Sequence, residues 1–211
     1  GELPGIEVHA GRLDEADMER ELSGARIVVD ATHPFATLAS GNIRAASLAV
    51  GARCLRLARP VEALPKGVVS VASIACAARF LSENPGRALL TTGSKELAPY
   101  TSVADFAERF FVRVLPLPGA ITKCIDAGFS PSHVIGMQGP FTRELNEAML
   151  RQVGAQWLVT KDSGTVGGTA EKLAAVRDAG ARCIVVARPA EGGGALSLRE
   201  VEDALLREFA R

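Results

Sequence analysis

An excess of one charge is what this sequence lacks most plainly. Lys plus Arg and Asp plus Glu each number 24 in 211 residues. No strongly basic surface argues for nucleic acid, and no acidic tail is visible. Aromatic residues make up only 5% of a chain that is 47% hydrophobic, so the core must be built from Ala, Val and Leu. Long apolar runs are absent too. Stretches such as 27–29 and 184–187 fall far short of the roughly 20 residues a membrane helix needs. The four cysteines, Cys54, Cys76, Cys124 and Cys183, form no Cys-x-x-Cys pair, which argues against a zinc or disulfide-redox site. Beside apolar segments, free thiols act as small hydrophobes. No signal-peptide pattern opens the sequence, so a soluble protein of the reducing cytoplasm is expected. No His, Cys or carboxylate cluster has metal-ligand spacing, so no metal is expected. Gly-x-Ser-x-Gly is missing as well, which leaves a Ser-His-Asp hydrolase poorly supported.

What is present is an alternation of short apolar runs with helical patterns. Strands are expected at 6–10, 26–30, 54–57, 68–71, 88–92, 110–115, 133–137, 157–160 and 183–187. Helical periodicity covers 15–22, 36–50, 73–81, 121–127, 142–153 and 169–179. Runs that are apolar throughout are typical of strands covered by helices on both faces. The expected class is α/β, with two Rossmann-like domains whose sheets are mainly parallel and flanked by helices. The stretch 59–67, with two prolines and a glycine, is the natural boundary, giving domains 1–60 and 61–211. Thr142 can cap a helix that carries Leu145, Met149 and Val153 on one face. A final helix opens on Ser197 with Glu200 at capping-box spacing.

In open α/β sheets ligands bind beyond the carboxyl ends of the strands, and four loops in such positions carry polar residues. The loop after the strand ending at Val29 contains Thr32, His33, Pro34 and Phe35, with Ser40 and Asn42 in the helix that follows. Pro34 biases His33 to an extended backbone and donates no N–H, so this loop is stiff. His33 is a candidate for holding a ligand at a cleft wall, or for a structural hydrogen bond. The loop 91–100 brings Thr92, Gly93, Ser94 and Lys95, which form either a positively charged mouth or a helix start capped by Ser94. In 136–146, Gln138 and Gly139 precede a capped helix, as a binding loop or as a plain turn. In 160–173, Lys161, Ser163, Gly164, Gly167, Gly168 and Thr169 separate strand from helix. Their N–H groups can converge on a phosphate or carboxylate, or the glycines can simply permit a turn. This is neither a Walker loop nor Gly-x-Gly-x-x-Gly. His9 and His133 suit structural hydrogen bonds.

Taken together and in order, the motifs VDATHPFA (29–36), RLARP (56–60), TTGSKELAPY (91–100), MQGPFTRELNEAM (137–149) and LVTKDSG (158–164) with EKL (171–173) resemble the precorrin-6A reductase family of cobalamin biosynthesis. The wording of MQGPF and TTGSKEL leans towards its cobalt-precorrin-6A branch. The resemblance covers essentially the whole chain. It implies an oxidoreductase that uses NADPH or NADH, with a carboxylate-rich corrinoid precursor held in a cleft between two Rossmann-like domains. The site residues it points to are Thr32, His33, Ser40, Asn42, Thr92, Gly93, Ser94, Lys95, Gln138, Gly139, Lys161, Ser163 and Gly164. The catalytic proton donor is unassigned. The only partner expected is the small-molecule substrate, with no nucleic acid, no membrane and a monomeric chain. Family members open with a strand, a Gly-Gly-Thr type loop and a helix that hold the dinucleotide. This sequence opens at GELPGIEVHAGRL, so a start shortened by that unit is expected. Two other readings are a non-catalytic α/β module that binds a tetrapyrrole or nucleotide, and a corrinoid methyltransferase. The latter lacks the glycine-rich loop it would need.

Overall fold

The computed structural model describes residues 6–9, 11, 13–60, 63–164, 168–189 and 194–210. By internal contacts the chain forms two units, one of Gly1–Pro60 with Ala190–Arg211 and one of Val61–Pro189. Both are α/β with parallel strands.

The larger unit is a six-stranded sheet of β3 (Val69–Val71), β4 (Ala88–Leu90), β5 (Phe110–Val114), β6 (Val134–Gly136), β7 (Trp157–Lys161) and β8 (Arg182–Val186). Every pairing is parallel, and the order is β3-β8-β7-β4-β5-β6. Successive side chains point to opposite faces, and here both faces are apolar. On one face Leu89, Phe111, Leu158, Cys183 and Val185 pack with Met149, Leu150 and Val153 of α7 (Arg143–Val153) and with Ala175 and Val176 of α8 (Thr169–Asp178). On the other, the Trp157 ring meets Phe80 of α3 (Ile74–Glu83) edge-on at 5.2 Å. Phe110 meets Tyr100 of α4 (Ala98–Thr101) in the same manner at 6.3 Å. Helix α5 (Phe106–Arg109) follows α4, and α6 (Pro118–Asp126) joins β5 to β6. The Thr142 hydroxyl caps α7 by accepting from the Leu145 N–H at 3.2 Å, and Gly154 ends that helix at φ +62.

The smaller unit pairs β1 (Ile27–Asp30) with β2 (Arg53–Arg56) in parallel, with α1 (Glu15–Glu21) and α2 (Thr37–Ala49) beside them. Its third helix is α9 (Leu198–Phe209). The assignment of 190–211 to the second domain is therefore corrected. The apolar stripe of α9 needs cover, and Val201 and Ala204 find it on Leu55 of β2, with Ile27, Leu57, Leu196 and Leu205 around them. A parallel bridge between Leu57 and Leu196 and the Ala58 N–H to Leu196 C=O bond (2.7 Å) fix the approach. The Ser197–Glu200 capping box is formed.

Three further expectations change. Residues 6–9 form no strand, and Ile6 and Val8 are exposed, because an apolar alternation becomes a strand only with a partner for its ladder. The helix expected at 121–127 starts at Pro118, whose fixed φ suits a first turn. Cys76 is exposed rather than set in an apolar environment. Among the described residues no metal-binding group forms, and no helix is long and apolar enough to cross a membrane.

Candidate functional site

At the carboxyl end of β1, Asp30 is the buried centre of a polar network. Its carboxylate accepts from the Thr32 hydroxyl (2.7 Å) and the Thr32 N–H (3.0 Å), and pairs with Arg56 Nη1 at 2.9 Å. Arg56 also donates to the Thr32 hydroxyl (3.0 Å), which lies 2.8 Å from the Ser40 hydroxyl. Burial pushes the Asp30 carboxyl up, but the Thr32 and Ser40 hydrogen bonds, with Arg56, hold it below its ordinary value. This arrangement ties the loop to β2 and α2, so Thr32 and Ser40 serve first to fix the backbone. His33 is half-buried, its Nδ1 accepting from the Phe35 N–H at 3.3 Å. Asn42 is half-buried in the second turn of α2.

The other three loops emerge on one edge of the six-stranded sheet. From β4 the chain moves outward to β5 and β6, then returns to β7 on the other flank of β4. Connections leaving β4 and β7 therefore diverge, and the crevice between them is where parallel sheets bind ligands. The Thr91 N–H and hydroxyl both donate to the Val159 C=O at 2.8 Å. Lys161 reaches across to Glu96 at 3.1 Å. Thr92 is buried with its hydroxyl 3.4 Å from that of Tyr100. Ser94 is half-buried, Lys95 is exposed, and the helix after this loop begins at Ala98 rather than on Ser94. After β7, Asp162 accepts from the Gly164 N–H (3.2 Å) and forms a two-pronged pair with Arg188 (2.9 and 3.0 Å). An N–H that the sequence suggests for an anion is thus occupied by the loop's own carboxylate. Ser163 is buried, 3.4 Å from the Thr169 hydroxyl. Gly167 lies outside the described residues.

Beside this crevice a cavity of about 530 Å³ is lined by Thr91, Gly93, Arg113, Leu115, Met137, Gly139, Pro140, Phe141, Gly168, Glu171 and Lys172, among others. Two buried cations line it. Arg113, on the α7 face of β5, is 5% exposed and Lys172 of α8 is 9% exposed. Arg113 Nη1 donates to Asn146 Oδ1 at 2.8 Å, and its guanidinium lies over the Phe141 ring at 3.7 Å. Burial lowers the Arg113 pKa to about 10, which leaves it charged at neutral pH. Burial first, and then the charge of Arg113, pull Lys172 down to about 8. Gly93 sits at φ +82 with nothing within 4 Å of where a Cβ would stand, so the loop passes close to the cavity without filling it. Gln138 is exposed beside it. A second cavity, of about 550 Å³, flanks α8 between 63–68 and 181–183. Its cations Lys66, Arg177 and Arg182 are all exposed, so it lacks the buried charge of the first.

The family model described as precorrin-6x reductase CbiJ/CobK matches residues 1–207. The chain belongs to this family. It is 40% identical over 187 residues to the cobalt-precorrin-6A reductase of Methanothermobacter thermautotrophicus, an alignment covering 85% of this chain and 60% of that one. It is 33% identical over 212 aligned positions to the cobalt-precorrin-6A reductase of Priestia megaterium, covering 96% and 82%. For the Salmonella typhimurium cobalt-precorrin-6A reductase the identity is 37% over 195 positions, covering 90% and 73%. The solved structure of CobK precorrin-6A reductase superposes with a TM-score of 0.72 at 26% identity, covering 93% of this chain and 80% of that one.

For this reductase-family chain, the structure brings Gly93 and Gly139 to one cavity, and leaves Lys161 at the end of β7 with Ser163 and Gly164 in the turn after it. Arg113, Lys172 and Asn146 are the residues that sequence reasoning passed over. The signal for Arg113 was its position, a lone charge inside the apolar run 110–115. Lys172 shares a helical face with Thr169, Ala175 and Val176, all buried. A cation on that stripe was legible as an anomaly.

Proposed function

We propose that the protein reduces the precorrin-6A macrocycle, in its cobalt-bearing form, with NADPH or NADH in cobalamin biosynthesis. The observation that carries this reading is the family match over residues 1–207, and the cobalt form follows the three relatives described above. The chain spans 60% of the Methanothermobacter relative's length. The nicotinamide supplies the hydride when bound. The macrocycle is assigned to the cavity of the larger unit, where Leu115, Met137, Pro140 and Phe141 offer apolar faces and Arg113 and Lys172 offer positive charge. The cofactor is assigned to the carboxyl end of β1. There the Asp30 network fixes the backbone that carries the half-buried His33 and Asn42. Ordinary orientation and exclusion of water are the protein's contribution to such chemistry. Arg12, which by sequence suits either a 2′-phosphate contact or a plain surface charge, lies outside the described residues. A cytoplasmic monomer fits the balanced charge and the unpaired thiols.

The test is anaerobic incubation of the full-length protein with precorrin-6A or cobalt-precorrin-6A and each nicotinamide. The expected result is oxidation of the nicotinamide in step with loss of the macrocycle's chromophore, faster with the cobalt form. Tight macrocycle binding with no oxidation of either nicotinamide would favour the non-catalytic carrier instead.

A further inference from the structure

We propose that Arg113 and Lys172 form a carboxylate subsite that grips one acidic side arm of the macrocycle and sets its orientation. This rests on assigning the macrocycle to the cavity above, and it adds the group that is recognised and the residues that recognise it.

Three observations lead there. Arg113 is a buried cation held by neutral groups. Asn146 Oδ1 lies at 2.8 Å, Met149 Sδ at 3.5 Å and the Phe141 ring beneath the guanidinium. Among the described residues no carboxylate lies within ion-pair distance of it. A buried charge is retained at such a cost when something pairs with it. Both protein bonds use Nη1. The edge formed by Nε and Nη2 has no acceptor among the described residues, yet no described side-chain nitrogen is both sealed from solvent and unbonded. That edge therefore opens to the cavity that Arg113 lines. Two parallel N–H groups on a rigid fork match the two oxygens of a carboxylate.

The third observation is the second cation. Lys172 comes from a different element, α8, yet lines the same cavity and is more than nine-tenths buried. Glu171, at the exposed start of α8, is the carboxylate among the cavity's described lining residues. Asn146 is itself held, its Nδ2 donating to the Thr142 C=O at 2.8 Å, so the Arg113 fork is set before a ligand arrives. The lowered pKa of Lys172 beside Arg113 agrees, since an anion between the two relieves their repulsion.

A phosphate of the dinucleotide shares this chemistry, and the experiment separates the two. Thermal unfolding of the full-length protein is followed with tricarballylate, inorganic phosphate or chloride at matched ionic strength. Arg113→Lys, Arg113→Met and Lys172→Met variants are run beside it. Tricarballylate is expected to raise the wild-type Tm, and each variant to lose that shift. Arg113→Lys keeps the charge and tests the fork alone, should Arg113→Met fold poorly. Protection by phosphate alone, by neither anion, or equally in all variants would overturn the subsite. In turnover, Lys172→Met is expected to raise KM for the corrinoid about tenfold, the loss of one charge-assisted hydrogen bond, with KM for the nicotinamide unchanged. The reverse pattern assigns the cations to the dinucleotide and overturns the proposal. If the wild-type protein reduces neither macrocycle, the reductase reading fails while the tricarballylate result still decides the subsite.

Discussion

Replacing Lys172 with methionine should stabilise the ligand-free protein at neutral pH and remove a characteristic pH dependence. The ordinary Lys pKa of 10.5 falls to about 8 at this position, chiefly through burial and then through the charge of Arg113, with Cys183 and Glu171 partly offsetting the fall. At about 1.4 kcal/mol per tenfold change, that difference corresponds to a cost on the order of 3 kcal/mol for holding the charged ammonium in the fold. Below pH 8 Lys172 is charged in both states and the full cost applies. Between 8 and 10.5 the folded side chain has released its proton while the unfolded one keeps it. The unfolded state then binds more protons, so stability rises with pH. Two groups oppose this at higher pH. The Cys183 thiol is pushed by burial from 9.0 up to about 12, and Tyr100 is raised from 10.0 by burial. Both ionise first in the unfolded chain and reduce stability there. The informative quantity is the difference between Lys172→Met and wild type. Measured by urea unfolding, it should approach 3 kcal/mol near neutrality, narrow from about pH 8 upward and vanish above the ordinary Lys pKa. A variant less stable than wild type at pH 7, or a difference constant with pH, would refute the reasoning.

Other positions give independent tests. Gly93→Ala places a Cβ at φ +82 and should cost about 1 kcal/mol in backbone strain, read as a lower urea midpoint. The protruding methyl should also raise KM for the ligand of the cavity. Arg56→Met leaves the Asp30 carboxylate, 4% exposed, without its ion-pair partner, and should destabilise the smaller unit by about 3 kcal/mol. Because the fold lowers the Asp30 pKa from 3.8, its contribution is present above that value and lost as pH falls. The variant's acid transition, followed by circular dichroism, should therefore begin at higher pH. Ser197→Ala removes the α9 capping box and should cost about 1 kcal/mol, visible in the same denaturation assay. His33→Ala should raise KM for the nicotinamide, and unchanged kinetic constants would leave His33 a structural role only.

Parallel strands buried on both faces announce themselves, and β5, β7 and β8 stand where continuous apolar runs lie in the sequence. The capped starts of α7 and α9 were equally plain, because Thr142 and Ser197 act on their own helices. Where α9 docks was not, since its apolar face is complementary to any sheet and long-range contacts such as the Leu57–Leu196 bridge and the packing on Leu55 select β2. Residues 6–9 look like a strand by alternation alone, which says nothing about a pairing partner. Polar loops after β1, β4, β6 and β7 lie at the carboxyl ends of their strands, but local sequence could not show that Asp162 engages the Gly164 N–H. Nor could it show that Arg113 and Lys172, 59 positions apart in the numbering, line one cavity.

The central claim, that this chain passes a hydride from a nicotinamide to a corrinoid precursor, is tested most directly by isotope transfer. The protein is incubated anaerobically with cobalt-precorrin-6A and nicotinamide cofactor carrying deuterium at the transferable position, and the macrocycle is examined by mass spectrometry. The account predicts a reduced macrocycle that has gained one deuterium from the cofactor, with protium from solvent as its second new hydrogen. A reduced macrocycle without cofactor deuterium, or no reduced macrocycle at all, would contradict it.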